Sequence, residues 1–490
     1  METLLQQLTR GNVLFFIIIV GFGGSFQTGY HITGLNSPSP YIKSFINSSW
    51  SDRYQKPPPT KTATIIWSLM VSMFAVGGLC GALSINLFSG RLGRKRAMIY
   101  NSMISIIAGG IVLASKAVGS YEMVIVARSL YGFSSGVGLS LHLMYVGESS
   151  PRNIRGRVTL TVATFLSLGK LSGQFFGLTE LFGREERWHI GLCVPAFFSA
   201  LQVVVLPFLP DAPRYLYIEK GDDEACRKAL QTLWGKGDYR QEMDDMLAEQ
   251  AAVKAAPPKS PLQLLRDGSV RWQLVTMGVI YSCNILSGMP AISVFSFDIF
   301  LEAGIPRDKI PYIIVGLGLF EISSSVVSGF MVDHTGRRPL LCVGYGVLSA
   351  LCVSVTVTLN LKDASYWVPY VTAGLIVLFI ISFCGGPAGA TATLNSEIFI
   401  QSHRTTALVL VGMLRWTMFV FLGLTFPFLI NALNAYCFVL FSCMCLLGCL
   451  YTFFVLPETK GKTLLEISEE FKNITICQKS VSEEVTESKL

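Results

Sequence analysis

About twelve long apolar runs, each close to the roughly 20 residues a helix needs to cross a bilayer's hydrocarbon core, dominate this chain of 490 residues. They start near residues 12, 63, 97, 122, 158, 188, 272, 310, 339, 366, 405 and 435. With 51% hydrophobic and only 14% charged residues, and a mean hydropathy of +0.51, the chain carries more apolar surface than a water-soluble core buries. Lipid must be its solvent. Only helices or closed barrels satisfy their backbone polar groups in lipid. Barrel strands alternate in polarity over about ten residues, and Ile104 to Ala114 and Val371 to Phe383 run apolar without that alternation. The reading is an all-α polytopic membrane protein with twelve transmembrane helices.

Met1 to Gly11 lacks a signal-peptide cleavage pattern and the first apolar run is long enough to span, which predicts a retained helix and a cytosolic amino terminus. Arg91, Arg94, Lys95 and Arg96 follow the second span, Arg152, Arg155 and Arg157 the fourth, and Arg337 and Arg338 the eighth. That is the cation excess of cytosolic loops, and it places both termini in the cytosol, with the plasma membrane as the expected location. The net charge of +7 is therefore topological, dispersed over loops rather than gathered into a nucleic-acid or lipid site. Of the twelve cysteines, all but Cys226 and Cys477 fall in the expected spans, with no disulfide framework or metal spacing. No nucleophile with its base, phosphate loop or metal constellation is present, so neither an enzyme nor a cofactor or metal is expected.

The longest polar interruption, about Asp211 to Asp267, holds amphipathic stretches at Glu224 to Trp234 and Tyr239 to Lys254, followed by Pro257-Pro258. It separates six spans from six. The expected domains are an amino-terminal bundle over 1–209, with a loop at about 33–62, a cytosolic helical linker over 210–268, a carboxy-terminal bundle over 269–456 and a cytosolic tail over 457–490.

The halves share punctuation at an offset of about 245 residues, the mark of an internal duplication. Gly93-Arg94-Lys95 returns as Gly336-Arg337-Arg338, and Glu148 with Arg155 returns as Glu397 with Arg404. Pro210-Asp211-Ala212-Pro213-Arg214 returns as Pro457-Glu458-Thr459-Lys460-Gly461. Carboxylates and guanidinium groups at neighbouring helix mouths form charge-assisted pairs that can open and close. Arg94, Glu148, Arg155 and Arg214 in one half, with Asp333, Arg337, Glu397, Arg404 and Glu458 in the other, are therefore candidates for a cytosolic gate that latches an outward-facing state. Single charges of this kind also serve only to orient helices; their duplication favours the latch. Gly90 stands in the first copy where the second has Asp333, which weakens the amino-terminal latch and predicts asymmetric gating.

Several strings resemble the sugar porter family of the major facilitator superfamily, and within it the vertebrate facilitative hexose transporters of class II, most like the eleventh-member type. They include Phe26-Gln27-Thr28-Gly29-Tyr30, Asn36-Ser37-Pro38, Trp67 to Met73, Met144 to Glu148, Gly386-Pro387-Ala388-Gly389, Phe426-Pro427-Phe428 and Leu456 to Thr463. The resemblance implies a major facilitator fold of two six-helix bundles. It also implies facilitative transport of a small polar solute, a hexose such as glucose or fructose, by alternating access, with a single chain sufficient. Asn47-Ser48-Ser49, in the loop after the first span, is the position usually glycosylated in the family; Asn473-Ile474-Thr475 lies in the tail.

A hexose site needs groups that both donate and accept hydrogen bonds in a partly dry cavity. Gln174 matches the family's glutamine in the fifth span. The seventh span departs from the pattern: the usual glutamine pair reads Asn284-Ile285, and the asparagine beyond Leu286-Ser287-Gly288 reads Pro290. Pro290 removes a backbone donor where the family's gating helix breaks, which predicts a kink. Glu321 replaces an asparagine in the eighth span, Arg415 precedes Trp416 in the eleventh, and Cys384 and Ala392 stand where glucose carriers use a glutamate and a tryptophan. Charges buried in a membrane need partners. Glu321 and Arg415 are expected to face one cavity and pair, and Lys170, one turn before Gln174, is a second partner for the same carboxylate. The substrate set is thus Gln174, Asn284, Glu321, Arg415 and Trp416.

The rewritten charges leave two further functions open: carriage of an ionisable flat solute such as a urate, purine or pterin, with a pigment-cell role, and solute sensing without turnover. His31, where proton-coupled relatives carry an aspartate, and His142 add titrating groups inside helices, so proton coupling also stays open.

Overall fold

In this computed structural model the residues described are 11–151, 155–255, 260–399, 401–462 and 464–473. Among the described residues ten segments are long and apolar enough to cross a membrane: Val13–Thr33, Thr60–Ile85, Leu92–Val118, Tyr121–Glu148, Trp188–Phe208, Arg271–Glu302, Ile310–Ser328, Arg337–Asn360, Val368–Leu394 and Thr406–Phe454. The last, of 49 residues, breaks at Asn434, whose φ of 48° is left-handed, into the helices Gln401–Leu433 and Cys437–Phe454. Thr161–Phe176 is a further helix, of 16 residues. These twelve, counted in chain order, are the spans named below.

The chain divides into two compact units that differ from its sequence halves. The first holds the described residues up to Ala255, with Pro290–Ile322 and Trp416–Asn434. It therefore contains the first six spans together with those parts of the seventh, eighth and eleventh that lie away from the basic loops, called outer here. The second unit holds the remaining described residues.

Helices in lipid gain no hydrophobic drive from meeting each other, so close backbone approach matters most. In the first unit a Cβ on Gly29 would strike the Leu166 carbonyl, and one on Gly169 the Phe26 carbonyl. The first and fifth spans thus pack through reciprocal glycines. The linker docks on the inner end of the same unit. Its helix Asp223–Trp234 is capped by Asp222, which accepts from the Ala225 N–H at 2.9 Å. That helix buries Cys226, Leu230, Leu233 and Trp234 among Phe16, Val20, Tyr145 and Val146, and Trp234 Nε1 donates to the Ser149 carbonyl at 2.8 Å.

In the second unit the ninth and twelfth spans pack together, with Ser349 and Ser442 each donating to the other's carbonyl at 3.0–3.1 Å. The tenth span widens into a π-turn over Cys384–Ala388, with Pro387 inside it. A proline deletes one helical hydrogen bond, and the wider turn accommodates the loss.

Candidate functional site

The seventh span is broken, as its sequence predicts, but the break falls at Gly288 rather than at the proline. The helix Arg271–Leu286 ends, Gly288 takes a φ of 102°, and a new helix begins at Met289. A positive φ favours glycine. Pro290 then sits in the first turn of the new helix, where a missing N–H costs nothing. A second irregularity follows at Phe295, with φ −119° and ψ 21°. Asn36, at the end of the first span, repairs it: its Nδ2 donates to the Ser293 carbonyl at 3.2 Å and its Oδ1 accepts from the Phe297 N–H at 2.8 Å. An unbroken helix would pair those two groups directly.

Next to this outer segment, within the first unit, the fifth and eighth spans meet. Lys170 Nζ donates to Glu321 Oε1 at 2.6 Å, with side chains only 18% and 10% exposed. Lys170 thus takes the carboxylate expected to pair with Arg415. The correction has a plain cause: the lysine lies across from Glu321 in the same unit, while Arg415 is exposed and makes no ion pair among the described residues. Gln174, one turn on from Lys170, is 3% exposed, and its Oε1 has no hydrogen-bond partner among the described residues. That oxygen lies where a Cβ on Gly318 would be, so Gly318, one turn from Glu321, makes room for it. A buried ion pair and an amide with spare hydrogen-bonding capacity therefore stand side by side.

The other expected site residues are placed as follows. Trp416 packs edge-on against Phe74 at 6.0 Å and fills the space left by Gly78 of the second span. Asn284 is half-buried at the last turn before the break, where its carbonyl accepts from Ser287 Oγ at 2.7 Å.

Two charge clusters occupy the inner helix ends, one in each unit. In the first, Arg94 bonds Glu148 at 2.8 Å and Glu219 at 2.7 Å, and its guanidinium lies 5.1 Å from the Tyr215 ring. Arg155 and Arg214 share Glu249 of the linker, at 3.2 and 2.5 Å. Burial would raise the Glu249 carboxyl, but the two guanidinium groups outweigh it and hold the group below the usual glutamate range. In the second unit Arg337 bonds Glu397 at 2.7 Å, and Thr459 donates to the other Glu397 oxygen at 2.6 Å.

The repeated acids after the sixth and twelfth spans have a shared task that the sequence does not announce. Asp211 accepts from the Lys95 N–H at 3.1 Å, and Glu458 accepts from the N–H groups of Arg337 and Arg338 at 3.0 and 3.1 Å. Each caps the helix that starts just after a left-handed glycine, Gly93 at φ 77° or Gly336 at φ 95°. Burial raises the Glu458 carboxyl, but donation from the N–H groups of Lys460, Arg337, Arg338 and Thr459 more than offsets this and keeps it below its usual range. The side chains of Asp333, Arg404 and Asn473 lie outside the described residues, as do the rest of the tail acceptor, Ile474 and Thr475, and Cys477.

The family described as sugar (and other) transporter matches residues 16–471. The chain belongs to that family. Its relatives include the human solute carrier family 2, facilitated glucose transporter member 9, 42% identical over 92% of this chain and 83% of that protein. Human member 11 is 37% identical over 97% and 96%, and rat member 5 is 37% identical over 92% and 90%. The fold is that of the Escherichia coli xylose transporter XylE, described in an inward open conformation: TM-score 0.76, 18% identity, 94% of this chain and 99% of that one. This is a multi-pass membrane transporter of the major facilitator fold.

Three acceptors in this transporter escape sequence reasoning. Glu219 and Glu249 are linker acids whose periodicity shows which helix face is buried, not which cation it meets, and Asn36 is legible only as part of a family string. His31 and His142, in the first and fourth spans, are both buried, at 1% and 0% exposure. His142 Nδ1 lies 2.7 Å from Ser25 Oγ. The His31 ring lies tilted against Tyr131 with ring centres 3.9 Å apart, and its carbonyl accepts from Arg128 at 3.1 Å. Asn47 is exposed on the helix Ser39–Tyr54, and Ser49 of the same acceptor donates to the Gly119 carbonyl.

Proposed function

We propose that the chain is a facilitative carrier that moves a hexose, glucose or fructose, down its gradient by alternating access. The supporting observation is the buried Gln174 oxygen with no partner among the described residues, beside an ion pair. A polyhydroxylated solute supplies the donors such an oxygen needs, and leaving it unmade costs about 1–3 kcal/mol. Family membership and the glucose transporters among its relatives point the same way. Asn284, Arg415 and Trp416 complete the proposed solute set, and Glu321 acts through its pairing with Lys170. The bundles at 1–209 and 269–456 are the proposed moving bodies, and the clusters around Arg94, Glu148, Arg155 and Arg214, and around Arg337, Glu397 and Glu458, with Asp333 and Arg404, are the proposed inner gate. The carrier works as a monomer in the plasma membrane, with both termini cytosolic and Asn47 glycosylated.

The test is counterflow of labelled hexose into proteoliposomes holding the full chain. Saturable uptake that is accelerated by unlabelled hexose inside, and lost in Gln174→Leu, is the expected result. Flux no greater than in empty liposomes would overturn the reading, and binding without flux would make the protein a sensor.

The Lys170–Glu321 pair favours a second reading, carriage of an ionisable flat solute such as a urate, purine or pterin. Such a solute carries a charge that can replace one ion of the pair, which a neutral hexose cannot. Replacing the labelled hexose with these solutes in the same vesicles separates the two.

A further inference from the structure

A cavity of about 380 Å³ opens on the outer side of the first unit, away from Gln174 and Glu321. Lys43, Asn47 and Trp67 line one side, from the helix Ser39–Tyr54 and the second span. Asp298 and Glu302 of the seventh span and Asn431 of the eleventh line the other. Its size falls within the 300–1,000 Å³ of ordinary small-molecule sites.

The chemistry of the wall is specific. Lys43 donates to both oxygens of Asp298, at 2.7 and 2.9 Å, and lies 5.0 Å from the Trp67 ring centre. Its charge is committed, so a bare anion gains no unpaired cation here. Trp67 is 3% exposed, and its Nε1 is a buried donor with no partner among the described residues. Indole N–H groups find an acceptor when buried. The remaining wall mixes amides and hydroxyls that both donate and accept, and carboxylates that accept, with apolar side chains such as Ile46, Leu301 and Ile430. A neutral ring with hydroxyls on its edge and C–H groups on its faces matches such a mixture; a fully anionic ligand does not.

We propose that this cavity is a carbohydrate site that takes one pyranose ring. Asn47 is an exposed N-glycosylation acceptor on its rim, so the ring comes either from the glycan attached there or from a free sugar. Lys43, Asn47 and Trp67 sit on the amino-terminal spans and their loop, whereas Asp298, Glu302 and Asn431 sit on the outer parts of the seventh and eleventh. A ring bridging them stabilises that packing, because a ligand favours the arrangement that holds it best. Binding itself does not require that the chain transport anything.

Saturation-transfer NMR on the full chain in detergent, with the methyl glycoside of N-acetylglucosamine as probe, tests this. Saturable binding is expected in Asn47→Gln, which keeps an amide but carries no glycan. Binding at least tenfold weaker in the glycosylated chain identifies the attached glycan as the occupant; equal binding identifies a free sugar, and either result supports the site. Trp67→Leu and Asn431→Leu each weaken binding at least tenfold. Asn431 is exposed on the rim, so its replacement keeps the test valid should Trp67→Leu fail to fold. Gln174→Leu leaves binding unchanged, which separates this site from the one proposed for transport. No saturable binding in Asn47→Gln, or binding that Gln174→Leu removes and Asn431→Leu retains, would overturn the proposal.

Discussion

The inner charge cluster of the first unit and that of the second grow from the same repeated motif, yet they are finished differently. Both keep one arginine–glutamate pair, Arg94–Glu148 and Arg337–Glu397, and both cap the following helix with a carboxylate, Asp211 or Glu458. In the first unit the surplus guanidinium capacity goes to linker acids, Glu219 for Arg94 and Glu249 for Arg155 and Arg214. In the second a neutral hydroxyl, Thr459, shares Glu397. A duplicated motif thus preserves the pair and the cap, while the neighbourhood decides how many charges depend on one another. The first cluster ties the linker to the spans; the second ties the segment after the twelfth span to them.

This difference orders the expected effects. Arg94→Leu leaves Glu148 and Glu219 facing each other without their shared cation, in a site where the arginine is 10% exposed. A loss of about 3–5 kcal/mol, the range for breaking a buried pair, is expected, read as a lower thermal midpoint in detergent with flux abolished. Arg337→Leu strands one carboxylate that still holds Thr459, and about 1–3 kcal/mol is expected. Equal losses in the two variants would break the comparison.

Glu249→Gln sharpens the linker's part in it. Two arginines lose one shared, partly exposed acid, for about 1 kcal/mol. Proteolysis of the linker is expected to speed up several-fold in this variant and to stay unchanged in Arg337→Leu.

Glu458→Gln gives the smallest shift, a few tenths to about 1 kcal/mol at neutral pH. Its signature is in the pH dependence. The folded Glu458 carboxyl lies below its usual range, so its capping contribution is complete above that range and is lost as pH falls through the lowered folded value. The native chain should lose stability there more steeply than Glu458→Gln, as differential scanning of both across acid pH would show. Parallel curves would mean that the cap carries no charge dependence.

What the sequence made legible follows from what each signal encodes. Apolar runs give the spans because lipid demands them, and the repeat gives Arg94 with Glu148 and Arg337 with Glu397 because both copies keep the pair. The break in the seventh span was legible, but its place was not: proline marks a deleted donor, whereas a left-handed φ at Gly288 makes the turn. The four-residue spacing put Lys170 on the face of Gln174. It could not say whether Glu321 would choose Lys170 or Arg415, since that depends on how separate spans pack. Asn36 was hidden for the same reason, as its partners are backbone groups more than 250 residues away.

The central claim is that Gln174 contacts the solute beside a Lys170–Glu321 pair that tunes the site. It is tested most directly by uptake of hexoses, purines and pterins into vesicles holding the native chain or Glu321→Gln, measured side by side. Removing the carboxylate's charge leaves Lys170 unpaired beside Gln174, so the apparent affinity for the transported solute should change at least tenfold while other solutes remain excluded. Uptake unaltered for every solute would contradict the account and reduce the pair to a structural tie between the fifth and eighth spans.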